Sequence, residues 1–109
     1  METLRKRDEF LALYKSGERK DYPTLIIFYR EGGRGRNIGF AVPKALGGAV
    51  ERNRIRRRMK EVVRKNEEAL PLNIECVLAR RRTSTEPSFH NMEIDILRFI
   101  QDLESEKKE

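Results

Sequence analysis

At 109 residues the chain is the length of one domain, 1–109, with room for a modest core and no second one. Hydrophobic residues make up 38% and charged residues 39%, so the core must be thin and the surface crowded with charge. The net charge of +6 favours a phosphate-rich or anionic partner, while no apolar run approaches the ~20 residues of a membrane span.

Residues Leu4 to Lys15 have the pattern of a short helix, with Phe10, Leu13 and Tyr14 at i, i+3 and i+4 and a stop at Ser16-Gly17. Glu18 to Asp21 is polar and fits a short edge strand. Thr24 to Arg30 is a dense β-branched and aromatic run between Pro23 and Gly32-Gly33, and reads as a strand. Alternation puts Leu25, Ile27 and Tyr29 on one face and Ile26 and Phe28 on the other, so the strand is expected to be central and covered on both sides. Glu31 to Gly35 reads as a glycine-rich hairpin connection with Arg34 and Arg36 near its tip. Asn37 to Val42 is the next clear strand, ended by Pro43.

The most informative stretch follows, from Lys44 to Asn66. Gly47 and Gly48 break the chain before a run in which Ile55, Met59, Val62 and Val63 recur at helical spacing. At ~100° per residue, Asn53, Arg57, Lys60 and Arg64 fall on the opposite face, with Arg54, Arg58 and Lys65 on one flank and Arg56 on the other. Between Arg52 and Lys65 stand eight Arg and Lys residues, six of them Arg, with Glu61 among them and Glu51 just ahead. Carboxylates that would lace a merely solvated face with i,i+4 pairs are therefore scarce. Arginine's planar fork suits phosphate, and such unpaired like charge calls for a polyanion. A nucleic acid is the expected partner.

The helix is expected to run to Glu68 or Leu70, where Pro71 stops it. Ile74 to Ala79 is a further strand, leading into Arg80-Arg81-Arg82. Read alone, those three arginines are a solvated exit loop; whether they join the basic helix depends on topology. Thr83 to Glu86 is a polar loop, and Pro87 and Ser88 suit the start of a last helix. That helix carries Phe89, Met92, Ile96, Phe99, Ile100 and Leu103 at helical spacing, and residues 104–109 are expected to fray. The whole reads as an α+β sandwich with both sheet faces partly covered.

Protein-borne catalysis finds little support. Asp8, Asp21, Asp95 and Asp102 are scattered, His90 is the sole histidine, and no Cys/His cluster or phosphate-binding glycine loop has the required spacing. The single cysteine, Cys76, lies in a strand-like run and reads as a buried structural thiol. Met1 to Lys6 lack the apolar segment of a signal peptide, so a cytoplasmic setting is expected. A second binding feature is an aromatic cleft between the first helix, with Phe10 and Tyr14, and the strand face carrying Ile26 and Phe28. Those side chains are either plain core or, partly open, a platform on which unpaired bases stack.

Phe10-Leu11-Ala12-Leu13-Tyr14-Lys15-Ser16-Gly17 resembles the Phe-x-x-x-Phe/Tyr-x-x-Gly signature of the bacterial ribonuclease P protein component. Lys44 to Arg57, with Gly47, Ala49-Val50, Arg52-Asn53-Arg54-Ile55 and Arg56-Arg57, resembles that family's Arg-Asn-Arg block, and Ala79-Arg80 fits its later strand end. The matches cover nearly the whole chain in the family's order. The resemblance implies a two-layer sandwich of order α-β-β-β-α-β-α, with Glu18 to Asp21 as the extra strand and a left-handed β-α-β crossover around the basic helix. It implies a catalytic RNA partner, ribonuclease P RNA, that removes the 5′ leader of precursor tRNA using Mg²⁺ held mainly by the RNA. On that basis Lys44, Arg52, Asn53, Arg54, Arg56, Arg57, Lys60 and Arg80 would contact the RNA subunit. Phe10, Tyr14, Ile26 and Phe28 would receive the leader. No residue of the chain is expected to be catalytic or to bind metal, and neither a membrane nor an obligate protein partner is implied. Two positions depart from the family: Ala45 where a second basic residue is common, and Gly48 where a polar residue is. The alternative is a ribosomal or RNA-remodelling protein with no part in cleavage. A protein-only nuclease lacks clustered carboxylates, and DNA recognition lacks helix-turn-helix spacing.

Overall fold

The computed structural model describes residues 2–33, 35–82 and 89–107. Its elements are β1 (Glu2–Thr3), α1 (Arg7–Ser16), β2 (Glu18–Asp21), β3 (Leu25–Glu31), β4 (Asn37–Ala41), α2 (Ala49–Lys65), β5 (Ile74–Arg80) and α3 (Phe89–Lys107). The strands form one five-stranded sheet in the order β1-β4-β5-β3-β2. β3 pairs antiparallel with both β2 and β5, while β4 runs parallel to β5 and β1 parallel to β4.

The core follows from strand alternation. Leu25, Ile27 and Tyr29 of β3, Ile38 and Phe40 of β4, and Ile74, Cys76 and Leu78 of β5 share one face. Against it pack Ile55, Met59, Val62 and Val63 of α2 and the Met92, Ile96, Phe99, Ile100 and Leu103 stripe of α3, all buried. Phe99 meets Tyr29 edge-on at 5.1 Å, a favoured aromatic geometry. On the other face α1 covers a smaller cluster of Leu4, Leu13 and Val77, with Phe10, Phe28 and Ala41 partly buried around it. The sheet with α2 and α3 makes the expected sandwich, and α1 adds a partial layer on its far side.

Local chemistry sets the helix ends. The Lys6 backbone N–H donates to Glu9 Oε1 at 3.2 Å, and Asp8 and Glu9 place negative charge on the first turn of α1. Gly48 caps α2, receiving the Arg52 N–H at 3.0 Å, and Gly47 turns the chain with φ of 135°, a region that favours glycine.

Several expectations change. β1 has no sequence signal of its own and forms by laying Glu2 and Thr3 beside Asn37 and Ile38. Helix α1 begins at Arg7, not Leu4. The glycine segment after β3 is not a hairpin, because β5 inserts between β3 and β4; the N–H groups of Gly32 and Gly33 bond instead to Asn73 O. α2 ends at Lys65 and a short 3₁₀ turn, Glu67–Ala69, follows. Residues 104–107, expected to fray, stay helical: Glu106 pairs with Lys20, and Lys107 Nζ lies 3.3 Å from Glu31 Oε2. The tip residue Arg34, the loop and helix start read at 83–88, and residues 108–109 lie outside the described residues.

Candidate nucleic-acid interface

With Ile55, Met59, Val62 and Val63 buried, the remaining circumference of α2 carries its cations outward. Arg54 and Arg57 are exposed, and Arg52, Arg56 and Lys60 half-buried. Among the described residues none of these five has a carboxylate within ion-pair distance. At the far end of α2 Lys65 meets Glu93 at 3.3 Å. Arg56 Nη1 donates to Asn53 Oδ1 at 2.8 Å, which orients both side chains from adjacent turns. Arg52 Nε is buried with no hydrogen-bond partner among the described residues.

The basic face divides in two. Asn53, Arg56, Arg57 and Lys60 line an open groove of about 650 Å³, whose opposite wall is Thr3, Leu4, Arg5 and Phe10, with Phe40 between. Arg54, Arg57 and Arg58, together with Glu61, line a smaller cleft of about 280 Å³ toward Phe89 of α3. Arg57 borders both. Lys44 is exposed on the short turn leading into α2, outside the groove.

The second surface is the α1 side of the sheet. Tyr14 meets Phe28 edge-on at 4.8 Å, and Phe10 is tilted to Tyr14 at 6.4 Å. Tyr14 is 40% exposed, while Phe10, Ile26 and Phe28 are half-buried. Partial burial raises the Tyr14 phenol above its usual range. So the four residues are neither sealed core nor free surface, and Phe10 belongs to both this aromatic floor and the groove along α2. The two surfaces are thus contiguous.

Arg80 is corrected. Expected near the RNA-facing side, it is 4% exposed, because alternation along β5 places it with Cys76 and Leu78 on the core face. Its guanidinium donates to the carbonyls of Thr24, at 3.4 Å, and of Arg81. Thr24 in turn donates its N–H and hydroxyl to the buried Asp95 Oδ2, at 2.8 and 2.6 Å. Arg80 thereby ties the end of β5 to the turn before β3. Sequence reasoning also missed Arg5 in the groove wall and Arg19, whose guanidinium lies 5.7 Å from the Phe28 ring centre. The Arg19 signal needed the register of β2 on β3, which no local pattern carries.

Among the described residues no three His, Cys, Asp or Glu side chains are grouped closely enough to hold a metal ion together. Cys76 is fully enclosed, and burial pushes its thiol up to about 12, far from the range of a nucleophile. Nor is any described helix long and apolar enough to cross a membrane.

The family model described as Ribonuclease P matches residues 1–104. The chain belongs to the ribonuclease P protein family. It is 34% identical over 92 residues to the ribonuclease P protein component of Desulforamulus reducens, covering 84% of this chain and 81% of that one. With the ribonuclease P protein component of Gluconacetobacter diazotrophicus it shares 37% identity over 101 residues, covering 90% and 87%. The fold matches the RNase P protein from Thermotoga maritima with a TM-score of 0.82 at 23% identity, covering 94% of this chain and 97% of that one. Against Staphylococcus aureus RNase P protein the TM-score is 0.78 at 19% identity, covering 94% of each chain. As a ribonuclease P protein component, the chain serves tRNA processing as a subunit of an endoribonuclease, in partnership with ribonuclease P RNA.

Proposed function

We propose that the chain holds ribonuclease P RNA on the basic face of α2 and the single-stranded 5′ leader of precursor tRNA on the aromatic floor. In this reading the RNA carries the chemistry and the Mg²⁺ ions that drive hydrolysis, and the protein supplies binding and position. Arg52, Arg54, Arg56, Arg57 and Lys60 meet phosphates, Lys44 adds a contact ahead of the helix, and Asn53, held by Arg56, offers its amide N–H groups to RNA. Phe10, Tyr14, Ile26 and Phe28 take unpaired leader bases, a mode worth ~1–3 kcal/mol per base in single-stranded recognition. The setting is the cytoplasm, where precursor tRNA is made.

One observation supports this most strongly: arginines with no carboxylate partner among the described residues share a groove with Phe10, at the edge of the half-open aromatic floor. Cation beside a half-open ring is the pairing that a ribose-phosphate strand with unstacked bases satisfies. The test is reconstitution. Mixed with a ribonuclease P RNA and precursor tRNA at low Mg²⁺, the protein is expected to accelerate leader removal; RNA binding with no gain in cleavage reduces it to a plain RNA-binding protein. Cleavage by the protein alone would move the chemistry into this chain.

A further inference from the structure

The edge strand β2 presents Arg19 and Asp21 on the same face as Phe28 and Ile26, since Arg19 stands opposite Phe28 and Asp21 opposite Ile26. The Arg19 guanidinium lies 5.7 Å from the Phe28 ring centre, within cation–π range. Asp21 holds the fork there, accepting from Nε at 2.7 Å and from Nη2 at 3.2 Å. Phe28 therefore has both Tyr14, edge-on, and Arg19 beside its ring. The far end of the floor, at Phe10, opens into the groove with Arg56, Arg57 and Lys60. The aromatic floor is bracketed by cation at both ends.

We propose that Arg19 is a leader-binding residue: its guanidinium takes a backbone phosphate of the single-stranded 5′ leader where the strand leaves Phe28. This rests on the leader occupying the aromatic floor. The side chains of Arg19 and Asp21 are 54% and 48% exposed, so their pair is weak in water and yields readily to a phosphate. Asp21 uses two donors of the fork and leaves the others for a phosphate oxygen. In the free protein Asp21 parks the guanidinium over the ring, and the incoming phosphate competes with that carboxylate.

The experiment measures equilibrium binding of precursor tRNA and of mature tRNA to the holoenzyme across a salt series, for the natural protein and for Arg19→Ala, Asp21→Asn and the double variant. Arg19→Ala is expected to weaken precursor binding about two- to fivefold. It should also flatten its log–log salt slope by about 0.7, the share of one single-strand phosphate, with no such change for mature tRNA. Asp21→Asn should tighten precursor binding, and the gain should vanish in the double variant. An unchanged slope in Arg19→Ala, an equal loss on both RNAs, or a gain that survives in the double variant each overturns the role of Arg19. If the natural holoenzyme binds both RNAs equally, the leader assignment itself falls and takes Arg19 with it; discrimination that persists undiminished in Arg19→Ala removes Arg19 alone.

Discussion

Phe10 lies directly over Gly39: a Cβ added to that glycine would stand 2.7 Å from Phe10 Cζ and 3.2 Å from Leu4 Cβ. The missing side chain on β4 is what lets an α1 aromatic settle against the sheet. Gly39→Ala is expected to destabilise the fold by about 1–3 kcal/mol through overpacking and to lift Phe10 from the floor. Denaturant unfolding reads the first effect. The second is a loss of affinity for leader-bearing precursor greater than for mature tRNA; equal affinity losses would return Phe10 to a purely structural role.

On α2, Arg54 and Arg57 are exposed and have no carboxylate partner among the described residues. Replacing either with Ala should leave stability within about 0.5 kcal/mol and reduce the salt slope of RNA-subunit binding by about 0.9 per phosphate lost. Arg57, bordering both groove and cleft, is expected to show the larger affinity loss. A slope unaltered in both variants would mean that these side chains face only water.

Arg80 should behave in the opposite way. Its guanidinium is buried against backbone carbonyls, so Arg80→Ala is expected to lower stability by about 2–3 kcal/mol through lost packing and hydrogen bonds, with no change in the salt slope. Asp95→Ala, which strands the Thr24 N–H and hydroxyl, should lower it by about 3 kcal/mol. Urea unfolding with a salt titration of RNA binding separates the two classes of arginine.

Cys76 provides a pH test. Burial raises its folded pKa from 9.0 to about 12, so the unfolded chain loses the thiol proton first. Its contribution to stability is fully present below about 9 and declines as pH rises toward about 12. Unfolding midpoints of the natural protein and Cys76→Ala should therefore converge as the solution is made alkaline. At pH 8 the native thiol should resist alkylation and react once urea opens the fold; rapid native labelling would contradict its enclosure.

Much of this arrangement could be read from local pattern. The spacing of Ile55, Met59, Val62 and Val63 identified the buried stripe of α2, and therefore which arginines point away from it. Alternation assigned both faces of β3 correctly. Failures came where long-range pairing decides. Glu2 and Thr3 are a strand only because β4 accepts them, and residues 104–107 stay helical beside ion pairs to Lys20 and Glu31. Arg80 is a different case: counting by twos from Ile74 would have buried it, but a run of three arginines suggested a solvated exit. The contact of Arg19 with Phe28 depends on cross-strand register and lay beyond any local signal.

Helix α2 is the link between two strands that lie side by side in parallel, with Ile38 beside Cys76 and Phe40 beside Leu78. Both ends of the cationic helix are thereby moored to the middle of the same sheet whose opposite side carries the aromatic rings. A single sheet would then set the offset between the proposed grip on the large RNA and the proposed grip on its substrate.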